Sequence, residues 1–277
     1  MASGRPIDHV VLAVRNLGRA ADIYKHLGFT LTPLASHEDR MGTSNRLAQF
    51  GERNFIELLE VDRPEKLKVH DFAAKPPFFS FGDHNRQAIA EREGLSMLVF
   101  STDDARADLR RLASAGLDTF APFDFERQAR LPDGSTVTVA FTIGFVRSPD
   151  MPRVAFFVCE NRAQQYFWKP DYQSHANGAQ GIKAVTLASP HPKRDAEFIG
   201  ALFGGTLTPI NNGFRVSCGP GQAVNLLVPD AIAKLDRSFV GLGTAPMLAG
   251  ISLVTQKPRG LVSSTDARGM FIEWVDE

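Results

Sequence analysis

The sequence predicts an α+β fold built from tandem β-α-β-β-β modules, and an internal repeat is the main reason. Residues 7–33 read IDHVVLAVRNLGRAADIYKHLGFTLTP, and residues 182–209 read IKAVTLASPHPKRDAEFIGALFGGTLTP. Each segment passes from a strand-like apolar stretch through a helical stretch to a glycine and an extended Thr-Leu-Thr-Pro. The segments that close the units also match, with FIELLEV at 55–61 and FIEWVDE at 271–277. Matching segments in the same order indicate a duplicated structural unit.

Two further module starts are visible. Residues 95–118 (LSMLVFSTDDARADLRRLASAGLD) predict a strand, then a helix that starts at Asp103 or Asp104 and ends before Gly116. The stretches that follow, at 136–146 and 153–158, have a β-rich composition. A weaker start lies at Ala249 (AGISLVTQ), where no helix pattern follows. The chain therefore consists of four units, the last of them shortened.

These units predict the domain boundaries. Residues 1–160 hold an N-terminal pair of modules, at 7–62 and 95–160, with a short helix expected between them in HNRQAIAERE. Residues 161–180 are expected to be a linker, because the larger repeat restarts directly after them. Residues 181–277 then hold a C-terminal pair.

Composition excludes several classes of function. Lysine plus arginine and aspartate plus glutamate number 31 each, so no net field favours nucleic acid or an anionic membrane. No basic start precedes a long apolar run and no run approaches the ~20 residues of a membrane span, so a cytoplasmic location is expected. Two cysteines give no disulfide framework. The 21 phenylalanines indicate aromatic packing or an apolar cavity.

A module opened by His-Val and closed by a Glu-bearing strand resembles the vicinal oxygen chelate superfamily, which includes glyoxalase I, bleomycin resistance proteins and extradiol dioxygenases. HEDRMGTSNRLAQFGERNFIELLEV at 37–61 and HANGA at 175–179 resemble the glyoxalase-like domain group within it. The resemblance implies half-open barrel sheets with helices on the outside. It also implies a divalent metal ion (Fe, Mn, Zn or Ni) held by residues on the first and last strands of a module.

By position, the resemblance implies His9 and Glu57 as metal ligands in the first module. The corresponding first-strand positions of the other modules hold Met97, Ala184 and Ile251, so the full ligand pattern is not repeated. In the second module, the position of Glu57 falls at Phe156 or Phe157, and Glu160 follows just beyond. Glu273 closes the fourth module without a histidine partner.

Strand alternation places His9 and Glu57 on corresponding faces of their strands. The residues expected beside His9 are Ile7, Val11 and Ala13, and those beside Glu57 are Phe55, Leu59 and Val61. If both faces point into the concave side, a histidine and a carboxylate share an apolar cup. There they could hold a divalent ion, or form a hydrogen bond or ion pair within the core.

Four further residues are candidate substrate contacts, namely His37, Asn45, Phe55 and Met97. His37 could be a third ligand, a substrate contact or an exposed loop residue, and Asn45 could bond to substrate or to backbone. His175 is expected to have a turn-capping or interdomain role.

Together these residues favour a metal-dependent lyase, isomerase or dioxygenase that acts on a small substrate through two adjacent oxygens, with Glu57 as a ligand or a base. Dioxygenation is the weaker option, because the matching positions do not complete a two-histidine, one-carboxylate triad. The alternative is a metal-free protein that sequesters a small molecule in a Phe-rich cup. The expected partner is a small-molecule substrate, with no nucleic acid or membrane, and the pattern is compatible with a homodimer.

Overall fold

The computed structural model describes residues 4–130, 134–241, 243–257 and 259–276. Among these residues, two open β-sheets are flanked by six α-helices, the mixed α+β class that the repeat predicts. The helices are α1 (Leu17–His26), α2 (Phe81–Glu91), α3 (Ala105–Ser114), α4 (Gln164–Phe167), α5 (Pro192–Phe203) and α6 (Pro229–Leu235).

The first sheet contains the residues of the first two predicted modules. Its strands are β1 (Ile7–Ala13), β2 (Ala35–Ser36), β3 (Ser44–Gln49), β4 (Phe55–Glu60), β5 (Gly94–Ser101), β6 (Asp118–Thr119), β7 (Phe123–Arg130), β8 (Thr136–Arg147) and β9 (Ala155–Asn161). They follow the order β2-β3-β4-β1-β5-β9-β8-β6, with β7 paired to β8. The antiparallel pairing of β1 with β5 joins the two modules into one continuous surface.

The second sheet has the order β11-β12-β13-β10-β14-β15. Its strands are β10 (Ala179–Ala188), β11 (Thr206–Ile210), β12 (Gly213–Ser217), β13 (Ala223–Leu227), β14 (Met247–Thr255) and β15 (Phe271–Val275). β10 pairs in parallel with β13, as β1 pairs in parallel with β4. The described residues between β14 and β15 form turns rather than a helix.

Three of the helices have side-chain N-caps. Asn16, Ser80 and Asp104 precede α1, α2 and α3, and each side chain accepts a hydrogen bond from a backbone N–H of the first turn. The prediction of a helix start at Asp103 or Asp104 is therefore confirmed at Asp104. Gly116, two residues after α3, has a φ of +81°, a left-handed conformation that glycine adopts without strain.

The strands have one face against helices and one concave face. A single core cluster joins α1, α3 and α5 with the helix-facing sides of both sheets, for example through Val10, Leu98 and Val185. A second cluster, rich in phenylalanine, covers the concave side of the first sheet. Helices α1, α3 and α5 thus lie on the outer side, as the resemblance implies, whereas Phe81 of α2 and Phe167 of α4 belong to the concave-side cluster. No helix among the described residues combines the length and apolar character needed to cross a membrane.

A β-bulge corrects one prediction about β1. The pairing of β1 with β5 shifts register between Ile7 and His9, so the strand does not alternate strictly there. Ile7 consequently joins the helix-side core with Val10, instead of sharing the face of His9. Asp8, which strict alternation places on the opposite face, lines the concave side together with His9.

Candidate functional site

The polar centre of the concave face is the carboxylate of Glu57 on β4. In the parallel pair β1–β4, Val11 lies opposite Glu57 and His9 lies opposite Phe55. His9 and Glu57 are therefore diagonal neighbours, and His9 Nε2 lies 3.6 Å from Glu57 Oε2. Both side chains are 6% exposed. The prediction that strand parity puts these residues on one face is confirmed.

Two neighbours hold the His9 ring in place. The Nδ1 atom lies 2.5 Å from Asp8 Oδ1, and because a carboxylate only accepts hydrogen bonds, Nδ1 is the donor. The ring also stacks on Phe55, with centroids 4.3 Å apart and planes 13° apart. A carboxylate on Nδ1 fixes the tautomer of a histidine and raises the basicity of its other nitrogen. His9 thus presents Nε2 towards Glu57.

His37 approaches the same carboxylate from the loop between β2 and β3. A short 3₁₀ turn, Asp39–Met41, ends at Gly42, whose φ of +61° reverses the chain. His37 Nδ1 then lies 2.8 Å from the Thr43 hydroxyl, and Arg63 donates hydrogen bonds to the carbonyl oxygens of His37 and Thr43. An exposed loop position was one of the three alternatives that the sequence allowed for His37. The structure instead gives it a side chain only 10% exposed.

Asn45 on β3 connects His37 to Glu57. Its Nδ2 donates a hydrogen bond of 2.6 Å to Glu57 Oε1 and lies 3.1 Å from His37 Nε2. His37 Nε2 is 3.6 Å from the same Oε1 atom. From the sequence, Asn45 could bond to substrate or to the backbone. Its side-chain amide instead contacts the side chains of Glu57 and His37. Each oxygen of Glu57 thus has one histidine nearby, and an amide supports one of them.

Aromatic rings enclose this polar group in a cavity of about 60 Å³. Phe157 meets the His9 ring edge-on at 5.5 Å, and Phe125 stacks on Phe141 with centroids 4.9 Å apart. Besides the residues described so far, the lining includes Met41, Leu47, Phe81, Ile143, Cys159, Asn161 and Phe167. The abundance of phenylalanine in the sequence was the signal for this cavity, although it did not identify which rings take part.

The cavity carries no reactive thiol. Burial raises the pKa of the Cys159 thiol well above its ordinary value, and the nearby negative charges of Asp8, Glu57 and Glu160 raise it further. The thiol is consequently neutral, which agrees with the absence of a nucleophilic cysteine motif in the sequence.

Several other candidate residues lie outside the site. Met97 is completely buried, does not line the cavity, and receives the amide of Asn85 at 3.8 Å on its sulfur. Glu160 falls within β9 and accepts a hydrogen bond from the backbone N–H of Ala105 at the start of α3. Glu273 bonds to Ser252 in the second sheet.

His175 has a structural position. Its Nδ1 accepts a hydrogen bond from the backbone N–H of Thr30, and its Nε2 donates to the carbonyl oxygen of Gln49. Burial lowers its pKa, so the ring is neutral at pH 7. The residue joins three segments of the chain and does not line the cavity.

The donor types at the site fit a divalent ion. Two imidazole nitrogens and a carboxylate are ligands that zinc, manganese, nickel and non-haem iron accept. Donor atoms about 3.0–3.4 Å apart are expected around an ion with bonds of about 2.1 Å, and the two His–Glu separations are 3.6 Å. Within the described ranges, however, no three His, Cys, Asp or Glu side chains already converge on one point, and the Asn45 amide stands between His37 and Glu57.

Comparison with known proteins agrees with this architecture. Residues 7–203 match the family model of the glyoxalase-like domain, which covers both modules of the first sheet and the strand and helix that open the second. The chain belongs to the glyoxalase-like domain family. That family lies in the vicinal oxygen chelate superfamily, as the module pattern predicted. No curated protein matches this glyoxalase-like chain.

Solved structures share the fold of this glyoxalase-like protein. A hypothetical protein from Staphylococcus aureus has 15% sequence identity and a TM-score of 0.72, with 98% of this chain and 99% of that chain covered. A xylose isomerase-like TIM barrel/4-hydroxyphenylpyruvate dioxygenase fusion protein has 16% identity and a TM-score of 0.53, covering 92% and 37%. A mutant of 4-hydroxymandelate synthase from Streptomyces coelicolor has 12% identity and a TM-score of 0.52, covering 91% and 72%. At these identities the likeness concerns the fold alone.

Proposed function

We propose that this protein is a metal-dependent enzyme that acts on a small substrate bearing two adjacent oxygens. The observation that carries the proposal is a buried carboxylate, Glu57, with the Nε2 atoms of His9 and His37 each 3.6 Å from a different oxygen. An ionised carboxylate in an aromatic cavity is costly unless a cation or several donors compensate it. His9, His37 and Glu57 would hold the ion.

The bound ion would act as a Lewis acid that polarises a substrate oxygen. The residues of the chain have separate tasks around it. Asp8 orients His9 through Nδ1, and Asn45 holds Oε1 of Glu57 by its amide. Glu57 is the group suited to accept a proton from the carbon next to a polarised carbonyl, since carboxylates serve as general bases in such transfers. The phenylalanine walls restrict the access of water.

Lyase or isomerase chemistry of the glyoxalase type is supported by one carboxylate between two imidazoles, because Glu57 can serve as the base. The matching strand positions do not complete a two-histidine, one-carboxylate triad, but His37 brings a second histidine from a loop. That donor set is also the one used by non-haem iron oxygenases. Consumption of oxygen therefore discriminates between the two reactions, because dioxygenation consumes O2 and needs a redox-active metal such as iron, whereas lyase or isomerase chemistry does neither.

The first test is the metal content of protein purified without a chelator, measured by mass spectrometry of the elements. We expect about one ion per chain, lost in His9→Ala and His37→Ala and retained in His191→Ala, which removes an exposed histidine. Circular dichroism would verify that each variant is folded. Absence of metal after incubation with iron, manganese, zinc and nickel salts, or equal metal content in all variants, would contradict the proposal.

A metal-free binding protein is the second candidate, and one observation favours it. Asn45 already bridges Glu57 and His37, so the buried carboxylate has a donor without any ion. In that case no metal is found, and ligands of the aromatic cavity bind His9→Ala as tightly as the unaltered protein.

A further inference from the structure

The cavity beside Glu57 is too small for a whole substrate of ordinary size. Its volume is about 60 Å³, whereas sites for small molecules typically enclose about 300–1,000 Å³. A second cavity of about 310 Å³ lies beside it, and we call this the outer cleft. Asn45, Leu47 and Phe167 line both spaces. A ligand that reaches Glu57 therefore has room for only a compact head there, and the outer cleft is the adjoining space that the rest of it can occupy.

The segment that contributes Phe167 to both spaces is held in a defined position. Phe167, at the end of α4, lies with its ring centroid 5.4 Å from that of Phe55 and 5.9 Å from that of Phe141. Gln49, only 2% exposed, donates to the carbonyl oxygen of Phe167 and accepts from the backbone N–H of Lys169. The segment predicted as a linker is thus anchored to β3, and it brings Lys169 to the wall of the outer cleft.

The two spaces differ in charge. Among the side chains that the structure describes, the inner cavity is lined by the carboxyl groups of Asp8 and Glu57 and by no lysine or arginine. Among the described residues, Lys169 is the one formally charged side chain that lines the outer cleft, and its ammonium group forms no ion pair with any of them. Tyr166 and Tyr172 add hydroxyl groups on the same wall. A partly buried cation beside hydroxyl donors favours an anion.

Apart from Lys169 and the tyrosines, the outer cleft is lined by apolar residues together with the neutral polar residues Thr32, Asn45, Gln49 and Gln128. Leu34, with 57% of its surface exposed, stands in this wall beside Pro33, Leu47 and Val139. Apolar side chains such as these, with a few polar groups among them, are the usual lining of small-molecule sites. The outer cleft therefore combines an apolar wall with one cation.

We propose that the ligand of this site is bipartite: a compact, oxygen-bearing head lies beside Glu57, and an apolar body in the outer cleft ends in an anionic group bound by Lys169. The anionic group is a carboxylate, sulfonate or phosphate. This inference rests on the proposed function for the role of the head, whereas the recognition of the anionic body depends on the outer cleft alone.

Two fluorescent probes with the same aromatic frame test the recognition. 1-Anilinonaphthalene-8-sulfonate carries an anion, and N-phenyl-1-naphthylamine lacks it. We expect Lys169→Gln to weaken binding of the sulfonate about tenfold and to leave the neutral probe unchanged, because one charge-assisted hydrogen bond is lost. Ala35→Trp, which fills the outer cleft, should weaken both probes. The control Lys193→Gln removes a lysine with a 71% exposed side chain and should affect neither.

Equal effects of Lys169→Gln on the two probes, or none on the sulfonate, would overturn the inference. So would sulfonate binding that survives Ala35→Trp, since the probe would then lie elsewhere. Metal analysis of the same Lys169→Gln preparation separates this result from the proposed function. If metal is lost only in the histidine variants, the proposed function is supported even when Lys169→Gln affects both probes equally. If the two probes are distinguished but no metal is found, only the proposal about anion binding in the outer cleft is supported.

Discussion

The buried His84 on α2 should make the stability of the protein depend on pH. Its side chain lies beneath the first sheet, where Nε2 donates to the carbonyl oxygen of Ser96 at 3.2 Å. Burial lowers its pKa to about 4, with the positive charge of His70 acting in the same direction, while the Ser96 bond and Asp83 oppose the shift. The folded state therefore holds His84 neutral, and the unfolded chain protonates it near pH 6.5.

The sign and size of the effect follow from proton linkage. Between about pH 6.5 and pH 4 the unfolded chain binds one more proton than the folded protein, so the free energy of unfolding falls as pH falls. The contribution of His84 to the free energy of unfolding is fully present above about pH 6.5. The difference between the folded and unfolded pKa values corresponds to a contribution of about 3 kcal/mol to the free energy of unfolding. About 2 kcal/mol of that contribution is lost between about pH 7.5 and pH 5.0.

Urea unfolding at those two pH values, on the unaltered protein and on His84→Gln, measures this contribution. Glutamine retains a donor for the Ser96 carbonyl but does not titrate. We expect the variant to lose about 2 kcal/mol less than the unaltered protein on acidification. The exposed His191→Gln serves as the control and should follow the unaltered protein. An identical pH dependence in His84→Gln would refute the reasoning.

Three further predictions concern the site and the packing. Asn45→Asp replaces the donor beside Glu57 with a second buried carboxyl, so we expect the free energy of unfolding to fall by about 2 kcal/mol at neutral pH and by less towards pH 5. Urea unfolding at both pH values measures this loss, and a loss that does not change with pH would argue against the prediction. Gly213→Ala places a methyl group against the carbonyl oxygen of Leu226 and should lower the free energy of unfolding by about 3 kcal/mol. The added methyl group of Gly241→Ala meets no atom, so this variant should be nearly neutral in thermal unfolding. Equal losses in the two variants would disprove this account. Because burial raises the pKa of both cysteine thiols, a thiolate-specific disulfide reagent should label them only after denaturation, and rapid labelling of the native protein would contradict their burial.

Part of the site was predictable because strand periodicity is local. Alternation along β1 and β4 placed His9 and Glu57 on one face, and the structure brings them to 3.6 Å. The same rule failed at Asp8, since the β-bulge depends on how β1 pairs with β5, a strand that lies far along the chain. His37 also escaped a firm assignment, because its burial depends on contacts with distant residues.

The excess of phenylalanine in the sequence indicated aromatic packing or an apolar cavity, but it did not indicate which aromatic residues line the cavity. Phe125 and Phe141 reach the cavity only because the β7–β8 hairpin folds towards the first module. The segment at 161–180 was predicted to be a linker because the larger repeat restarts directly after it. Its contribution of Phe167 and Lys169 to the walls depends on bonds to Gln49, about 120 residues earlier in the chain.

The sequence by itself determined the modules, the limits of α3 and the facing of His9 and Glu57, because these depend on periodicity and capping within a few residues. Only the tertiary structure decided that His37 and Asn45 meet Glu57, that Asp8 orients His9, and that a second space opens beyond Phe167. Those contacts join segments that no local pattern relates, because strand pairing and side-chain packing act on residues distant in the chain.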